Sequence, residues 1–180
     1  MLLAIHLTMA PVVPDLPSAD PGQARPARIG AATLTPEGEV VSRMDALIQP
    51  DGWTIPRQAK VKTSDALRYG ISLTSAMAVV ADWRRSRCTG LVLYGARHTL
   101  PQLRVCRDLC RMEARGRPAR RRINVIDVGA EAADLLNDGT ALVPMAEATK
   151  GLCGEALAGL PGLLALNANE QILKMREAMK

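Results

Sequence analysis

The sequence predicts an α/β fold, in which a mixed five-stranded sheet is flanked by helices. Two observations predict it. The first 48 residues contain one apolar run and then a strand–turn–strand pattern, whereas the rest of the chain alternates short apolar runs with amphipathic helical patterns. No internal repeat and no linker-like segment divides the chain, so residues 1–180 are predicted to form a single domain.

Three strands are predicted in the first part of the chain. Residues 2–7 form an apolar run that is typical of a buried strand. A loop follows it, because five prolines between Pro11 and Pro26 exclude regular structure there. Residues 29–35 and 40–48 flank a turn signal at residues 36–39 and are predicted to form a hairpin.

The remaining predicted elements alternate between helices and strands. The helix over residues 73–87 repeats apolar residues at intervals of three and four, and Ser72 is its predicted N-cap. The run over residues 91–94 lies between Gly90 and Gly95 and is predicted to be a buried strand. The other predicted elements are helices over residues 65–69, 100–114, 130–136, 145–152 and 163–179 and a strand over residues 123–128.

Positive charge is concentrated in one segment. The net charge is +5, and eight arginines fall between Arg104 and Arg122. A basic stripe can bind a phosphate backbone, although a solvated helix face gives the same pattern. The candidate nucleic-acid-binding residues are Arg104, Arg107, Arg111, Arg115, Arg120, Arg121 and Arg122. With two Trp, two Tyr and no Phe, the chain offers few aromatic platforms on which bases could stack.

The cysteines and the N-terminal segment argue against several classes of protein. The four cysteines include no Cys-x-x-Cys pair and the chain has only two histidines, so we predict reduced thiols, no metal site and no cofactor. The first apolar run is too short to span a membrane and lacks the basic flank of a signal peptide. We therefore expect a cytoplasmic protein without membrane contacts.

Two motifs carry a resemblance to a known family. Residues 47–56 read Leu-Ile-Gln-Pro-Asp-Gly-Trp-Thr-Ile-Pro, and residues 69–73 read Tyr-Gly-Ile-Ser-Leu. With the order of elements over residues 2–175, these motifs resemble the DEDD-type 3′–5′ exonucleases, whose members include the epsilon proofreading subunit of DNA polymerase III. The resemblance implies an RNase H-like fold and a nuclease site in which four carboxylates hold two divalent metal ions.

The residues that would hold these metals are replaced in this chain. The resemblance places the four acid positions at His6, Thr8, Thr99 and Leu166 and the general base at Pro161. A shift of one residue in the last helix substitutes Leu160 and Ala165, and residues 157–169 contain no Asp, Glu or His at all. Because Mg²⁺ and Mn²⁺ prefer carboxylate oxygens, the resemblance implies a protein that has lost nucleic-acid cleavage.

Three functions remain open at this point. The first is a catalytically inactive exonuclease-like protein that binds single-stranded or end-bearing nucleic acid, because His6, Thr8 and Thr99 no longer repel phosphate. The second is a scaffold subunit of a larger nucleoprotein complex, such as a polymerase, phage or defence assembly, because residues 157–166 are unusually apolar. The third is a residual 3′–5′ exonuclease whose metal site is rebuilt from His6, His98 and Thr99.

Overall fold

The computed structural model describes residues 1–35, 40–86, 88–93, 95–110 and 124–127 of the 180-residue chain. The predicted helices over residues 130–136, 145–152 and 163–179 lie outside the described residues. In chain order the described elements are β1 (Leu2–Met9), β2 (Pro26–Leu34), β3 (Val40–Leu47), a 3₁₀ turn (Arg57–Ala59), α1 (Thr63–Tyr69), α2 (Leu73–Ser86), β4 (Gly90–Leu93), α3 (Ala96–Leu109) and β5 (Asn124–Asp127).

The five strands form one mixed sheet in the order β3-β2-β1-β4-β5. The pairs β1–β2 and β2–β3 are antiparallel, as the predicted hairpin requires. The pairs β1–β4 and β4–β5 are parallel. Parallel neighbours need a long crossover connection, which α1 and α2 provide before β4 and α3 provides before β5. The predicted α/β fold with a mixed five-stranded sheet is thus confirmed. The carboxyl ends of β1, β4 and β5 meet at one edge of the sheet.

Aliphatic side chains fill the core on both faces of the sheet. On one face, Leu3, Ile5 and Leu7 of β1 pack with buried residues of α2 and α3, such as Val80 and Cys106. The other face carries a second buried cluster, Ala4, Ala32, Leu34 and Val92. Side chains alternate along a strand, so β1 presents His6 and Thr8 on the same face as Ala4.

Local sequence signals locate most of the element boundaries. Ser72 caps α2 as predicted, since its Oγ accepts a hydrogen bond from the backbone N–H of Ser75 at 3.0 Å. The start of α3 differs from the prediction, because the helix begins at Ala96 instead of residue 100 and contains Pro101. A proline is best tolerated in the first turn of a helix, so the pattern alone favours a later start than the structure has.

Backbone hydrogen bonds join the two motifs that carry the resemblance. The N–H of Ile71 donates to the carbonyl of Leu47 at 2.9 Å, and the N–H of Gln49 donates to the carbonyl of Ile71 at 3.0 Å. Gly70 lies at this crossing, where a Cβ atom would stand 2.2 Å from the carbonyl oxygen of Ala66. The close approach explains why the turn between α1 and α2 contains glycine.

The cysteines of the described residues are free thiols, namely Cys88, Cys106 and Cys110. Burial, together with the neighbouring Cys110, raises the pKa of Cys106 to about 12. Cys106 is therefore a packing residue and not a nucleophile at neutral pH. As for the membrane, no helix in the described part of the chain is long and apolar enough to cross one.

Candidate functional site

The first two acid positions lie side by side near the carboxyl end of β1. His6 and Thr8 are half-buried on one face of the strand, and the His6 Nε2 and Thr8 Oγ1 atoms are 3.4 Å apart. Burial of the imidazole and the charge of Arg28 lower the pKa of His6 from 6.5 to about 4. At neutral pH these two positions therefore carry no charge.

An ion pair lies on the same face of the sheet, next to these positions. Thr8 is paired with Arg28 on β2, and His6 is paired with Gly30, which is itself paired with Asp45 on β3. Arg28 Nε donates to Asp45 Oδ1 at 2.5 Å, and Arg28 Nη2 donates to Asp45 Oδ2. Gly30, the residue between His6 and Asp45 in this pairing, has no side chain. This pair was not predicted, because Arg28 lies just before the predicted strand over residues 29–35, whereas β2 begins at Pro26.

The third acid position belongs to the start of α3. Thr99 is buried, and its Oγ1 donates to the carbonyl of Gly95 at 3.2 Å. His98 is exposed, whereas Thr99 is buried. These two adjacent residues of the predicted rebuilt metal site therefore have different environments. Among the described residues no group of three or more His, Cys, Asp or Glu side chains could hold a metal ion.

An unpredicted acid, Asp127, fixes the first turn of α3. Its two carboxylate oxygens accept hydrogen bonds from the backbone N–H groups of Gly95, at 2.8 Å, and Ala96, at 2.5 Å. Gly95 has a positive φ of 67°, which lets β4 turn directly into the helix. The carboxylate thus satisfies two otherwise unpaired donors and complements the helix dipole. The sequence contained one signal for this contact. Asp127 is an acid near the end of the strand that is predicted over residues 123–128.

Changing Asp127 should therefore weaken the start of α3. We expect Asp127→Ala to lower the free energy of unfolding by about 2 kcal/mol, because two helix N–H groups lose a charged acceptor. Asp127→Asn keeps one acceptor oxygen and should cost about half as much, roughly 1 kcal/mol. Urea unfolding followed by tryptophan fluorescence measures both values, and equal stability of the two variants and the wild type would contradict this role.

The positions that the resemblance assigns to metal ligands do not fit a two-metal site. His6, Thr8 and Thr99 offer neutral nitrogen and hydroxyl donors, whereas hard divalent cations need carboxylates. The positive charge of Arg28 beside Thr8 disfavours a divalent cation further. The nearby carboxylates of Asp45 and Asp127 are bound to Arg28 and to the backbone of α3. Leu166 and Pro161 lie outside the described residues.

Two of the predicted basic residues lie near the end of α3, around Asp108. Arg104 and Arg107 are 71% and 52% exposed, and both form ion pairs with Asp108. Ser18 of the proline-rich loop also donates to Asp108, at 2.5 Å. Partial burial opposes ionisation, but these hydrogen bonds and charges hold the pKa of Asp108 below its usual range. Asp108 therefore neutralises part of the charge on this segment. The other candidates, Arg111, Arg115, Arg120, Arg121 and Arg122, lie outside the described residues.

A groove of about 410 Å³ lies beside the two motifs that carry the resemblance. Arg25, Gln49 and Trp53 line it, together with Ser72 at the start of α2. Arg25 Nη1 donates to the carbonyl of Asp51 at 3.4 Å, which holds a positive charge at its rim. An aromatic side chain and a cation at one groove are compatible with a nucleotide.

Comparison with known proteins identifies solved structures with a similar fold. No protein-family model and no curated protein matches the chain. A product-bound structure of exonuclease I superposes on it with a TM-score of 0.70 at 15% identity, covering 98% of this chain and 43% of that one. Exonuclease I of Escherichia coli in complex with a dA16 oligonucleotide gives a TM-score of 0.71 at 14% identity, with 98% and 41% covered.

A third solved structure agrees with these two. Exonuclease I from Methylocaldum szegediense, a moderately thermophilic enzyme, gives a TM-score of 0.66 at 13% identity, covering 98% of this chain and 40% of that one. The chain thus spans about two fifths of the length of the exonucleases that it matches. At these identities the likeness concerns the fold alone. The chain has the RNase H-like, mixed-sheet fold that is found in exonuclease I.

Proposed function

We propose that this protein is a catalytically inactive exonuclease-like domain that binds single-stranded or end-bearing nucleic acid without divalent metal. The observation that carries the proposal is the chemistry of the acid positions. In the described part of the chain these are a neutral imidazole and two hydroxyls, with the Arg28–Asp45 pair alongside. A surface of this kind can approach phosphate without a metal to neutralise it.

The solved exonuclease structures support the choice of ligand. One of them holds a dA16 oligonucleotide, and another is a complex of exonuclease I with single-stranded DNA in a metal-free form. For this chain, the net charge of +5 and the predicted basic residues of the segment from Arg104 to Arg122 favour the same class of ligand. Binding would depend mainly on phosphate contacts, because aromatic residues are scarce.

Metal-independent binding is the expected result of a titration. A fluorescently labelled single strand of about 20 nucleotides should bind in EDTA at low ionic strength, and the logarithm of the binding constant should fall linearly with the logarithm of salt concentration. The same strand and a blunt duplex, incubated with Mg²⁺ or Mn²⁺, should release no nucleotides. EDTA-sensitive cleavage would contradict the loss of catalysis, and a lack of salt-sensitive binding in EDTA would contradict the binding role.

A scaffold role within a larger nucleoprotein complex is the second candidate. It is favoured by three large apolar residues that are exposed, namely Leu67 and Tyr69 of α1 and Ile71 in the connection to α2. Such residues suit contact with another protein, and the cytoplasm remains the expected compartment. An isolated protein that stays monomeric at high concentration during size-exclusion chromatography would argue against an obligate partner.

A further inference from the structure

Arg28 is a permanent cation beside the acid positions of β1. It is paired with Thr8 across the β1–β2 ladder, so both side chains leave the sheet on the face that also carries His6. Independently of this register, Arg28 is close enough to lower the pKa of His6 through its charge. The side chain is 45% exposed, so solvent and ligands reach it. A positive group thus lies beside the positions at which the resemblance predicts metal-bound carboxylates.

From this geometry we infer that Arg28, with the Thr8 hydroxyl, forms a phosphate-binding site that replaces the metal ions in contacting the nucleic-acid backbone. The inference rests on the proposed function and identifies the residue that grips the phosphate. Its ligand class is a phosphodiester or terminal phosphate of a single strand. The site binds the phosphate in the ground state and includes no bond-breaking step.

The guanidinium retains donors for such a ligand. An arginine carries five N–H donors in a planar fork that matches phosphate oxygens. The pair with Asp45 uses Nε and one Nη2 hydrogen, so the Nη1 group and the second Nη2 hydrogen lie outside it. Thr8 adds a hydroxyl from the neighbouring strand. These donors face the same side of the sheet, as a phosphate with several acceptor oxygens requires.

Asp45 acts as an internal competitor for the same guanidinium. Both partners of the pair are solvent-exposed, at 45% and 41%, so water and salt screen the attraction between them. A phosphate can therefore take over the guanidinium at small cost. While Asp45 is present, however, its charge repels the phosphate and keeps Arg28 engaged. Asp45 thus limits the affinity of the site without being part of it.

The two partners of this ion pair should have opposite effects on binding. We expect Arg28→Gln to weaken binding of a labelled single strand in EDTA by about tenfold, because a charge-assisted phosphate contact is lost. Asp45→Asn should strengthen it by about threefold, because the competing carboxylate is removed. If the pair had only a structural role, both variants would break the same interaction and shift the affinity in the same direction.

Matched variants separate this site from general charge effects. Arg84→Gln removes one charge from α2, which packs on the opposite face of the sheet, and should change the affinity by less than about twofold. Arg28→Lys keeps the charge without the fork and should fall between Arg28→Gln and the wild type. Thermal unfolding verifies that each variant is folded, and Arg28→Lys provides the measurement if Arg28→Gln does not fold.

The outcomes distinguish this inference from the proposed function. If the wild type binds in EDTA and Arg28→Gln matches Arg84→Gln, the inference is wrong and the proposed function stands. The inference is also wrong if Asp45→Asn weakens binding as Arg28→Gln does. If the wild type shows no salt-sensitive binding in EDTA, both are wrong. Opposite shifts for Arg28→Gln and Asp45→Asn, with an unchanged Arg84→Gln, support both.

Discussion

Replacing Gly70 with alanine is expected to destabilise the protein by about 3 kcal/mol, because the new side chain would overlap with backbone atoms that cannot move independently. A Cβ at this position would lie 2.2 Å from the carbonyl oxygen of Ala66 and 2.8 Å from the nitrogen of Gln49. Relief of that overlap would separate Gln49 from Ile71, which are joined by a backbone hydrogen bond. Guanidinium unfolding followed by tryptophan fluorescence measures the loss.

A second glycine provides a control, because the same substitution by alanine can be made there without a clash. Gly52 has a positive φ of 70°, but a Cβ there would meet nothing within 4 Å. Gly52→Ala therefore adds conformational strain without a clash and should cost about 1 kcal/mol. If Gly70→Ala cost no more than Gly52→Ala, the packing of α1 against residues 47–49 would not be as close as the structure describes.

The sequence predicts those parts of the fold whose causes are local. The alternation of apolar runs, the turn signal in the sequence of residues 36–39 and the cap at Ser72 all act within a few residues, and the hairpin and α2 follow from them. The start of α3 is different. It is fixed by Asp127, whose hydrogen bond to Gly95 joins residues 32 positions apart. A helix pattern alone cannot reveal a cap that another strand supplies.

The candidate site also contains residues that could be predicted from the sequence and residues that could not. His6 and Thr8 follow from the resemblance, since the first strand is unambiguous and its alternation puts both on one face. Arg28 was not predicted as part of the site, because the proline-rich loop before it gives no indication of the β1–β2 register. Likewise, the contact between Ser18 and Asp108 joins residues 90 positions apart, so the packing of the proline-rich loop against α3 could not be predicted from sequence.

The fold and the acid positions have different implications for function. The sheet order and the superpositions on exonuclease I indicate a shared framework. The side chains at its edge have a different chemistry, because an imidazole and two hydroxyls stand where the resemblance places carboxylates, and a guanidinium lies beside them. A fold supports many functions, so the proposal of nucleic-acid binding depends on these side chains and not on the likeness alone.

The protein should lose stability between pH 7 and pH 5 through His6. Its pKa is about 4 in the folded state, against an ordinary value of 6.5 in the unfolded chain. Between these values the unfolded chain binds more protons, so stability is fully present above pH 6.5 and is lost as the pH falls toward 4. The difference amounts to about 2 kcal/mol at pH 5, measured by urea unfolding at each pH.

Substitution of the two histidines tests whether His6 causes this loss. His6→Gln removes the titrating group and should flatten the pH dependence, so that its unfolding free energy changes by less than about 0.5 kcal/mol over the same interval. His98, the second of the two histidines, is exposed, and His98→Gln should retain the wild-type slope. The lowered pKa of Asp108 places its contribution in more acidic solution, where it does not interfere. If His6→Gln kept the wild-type slope, the imidazole would not be the buried neutral group on which the metal-free character of the β1 positions depends.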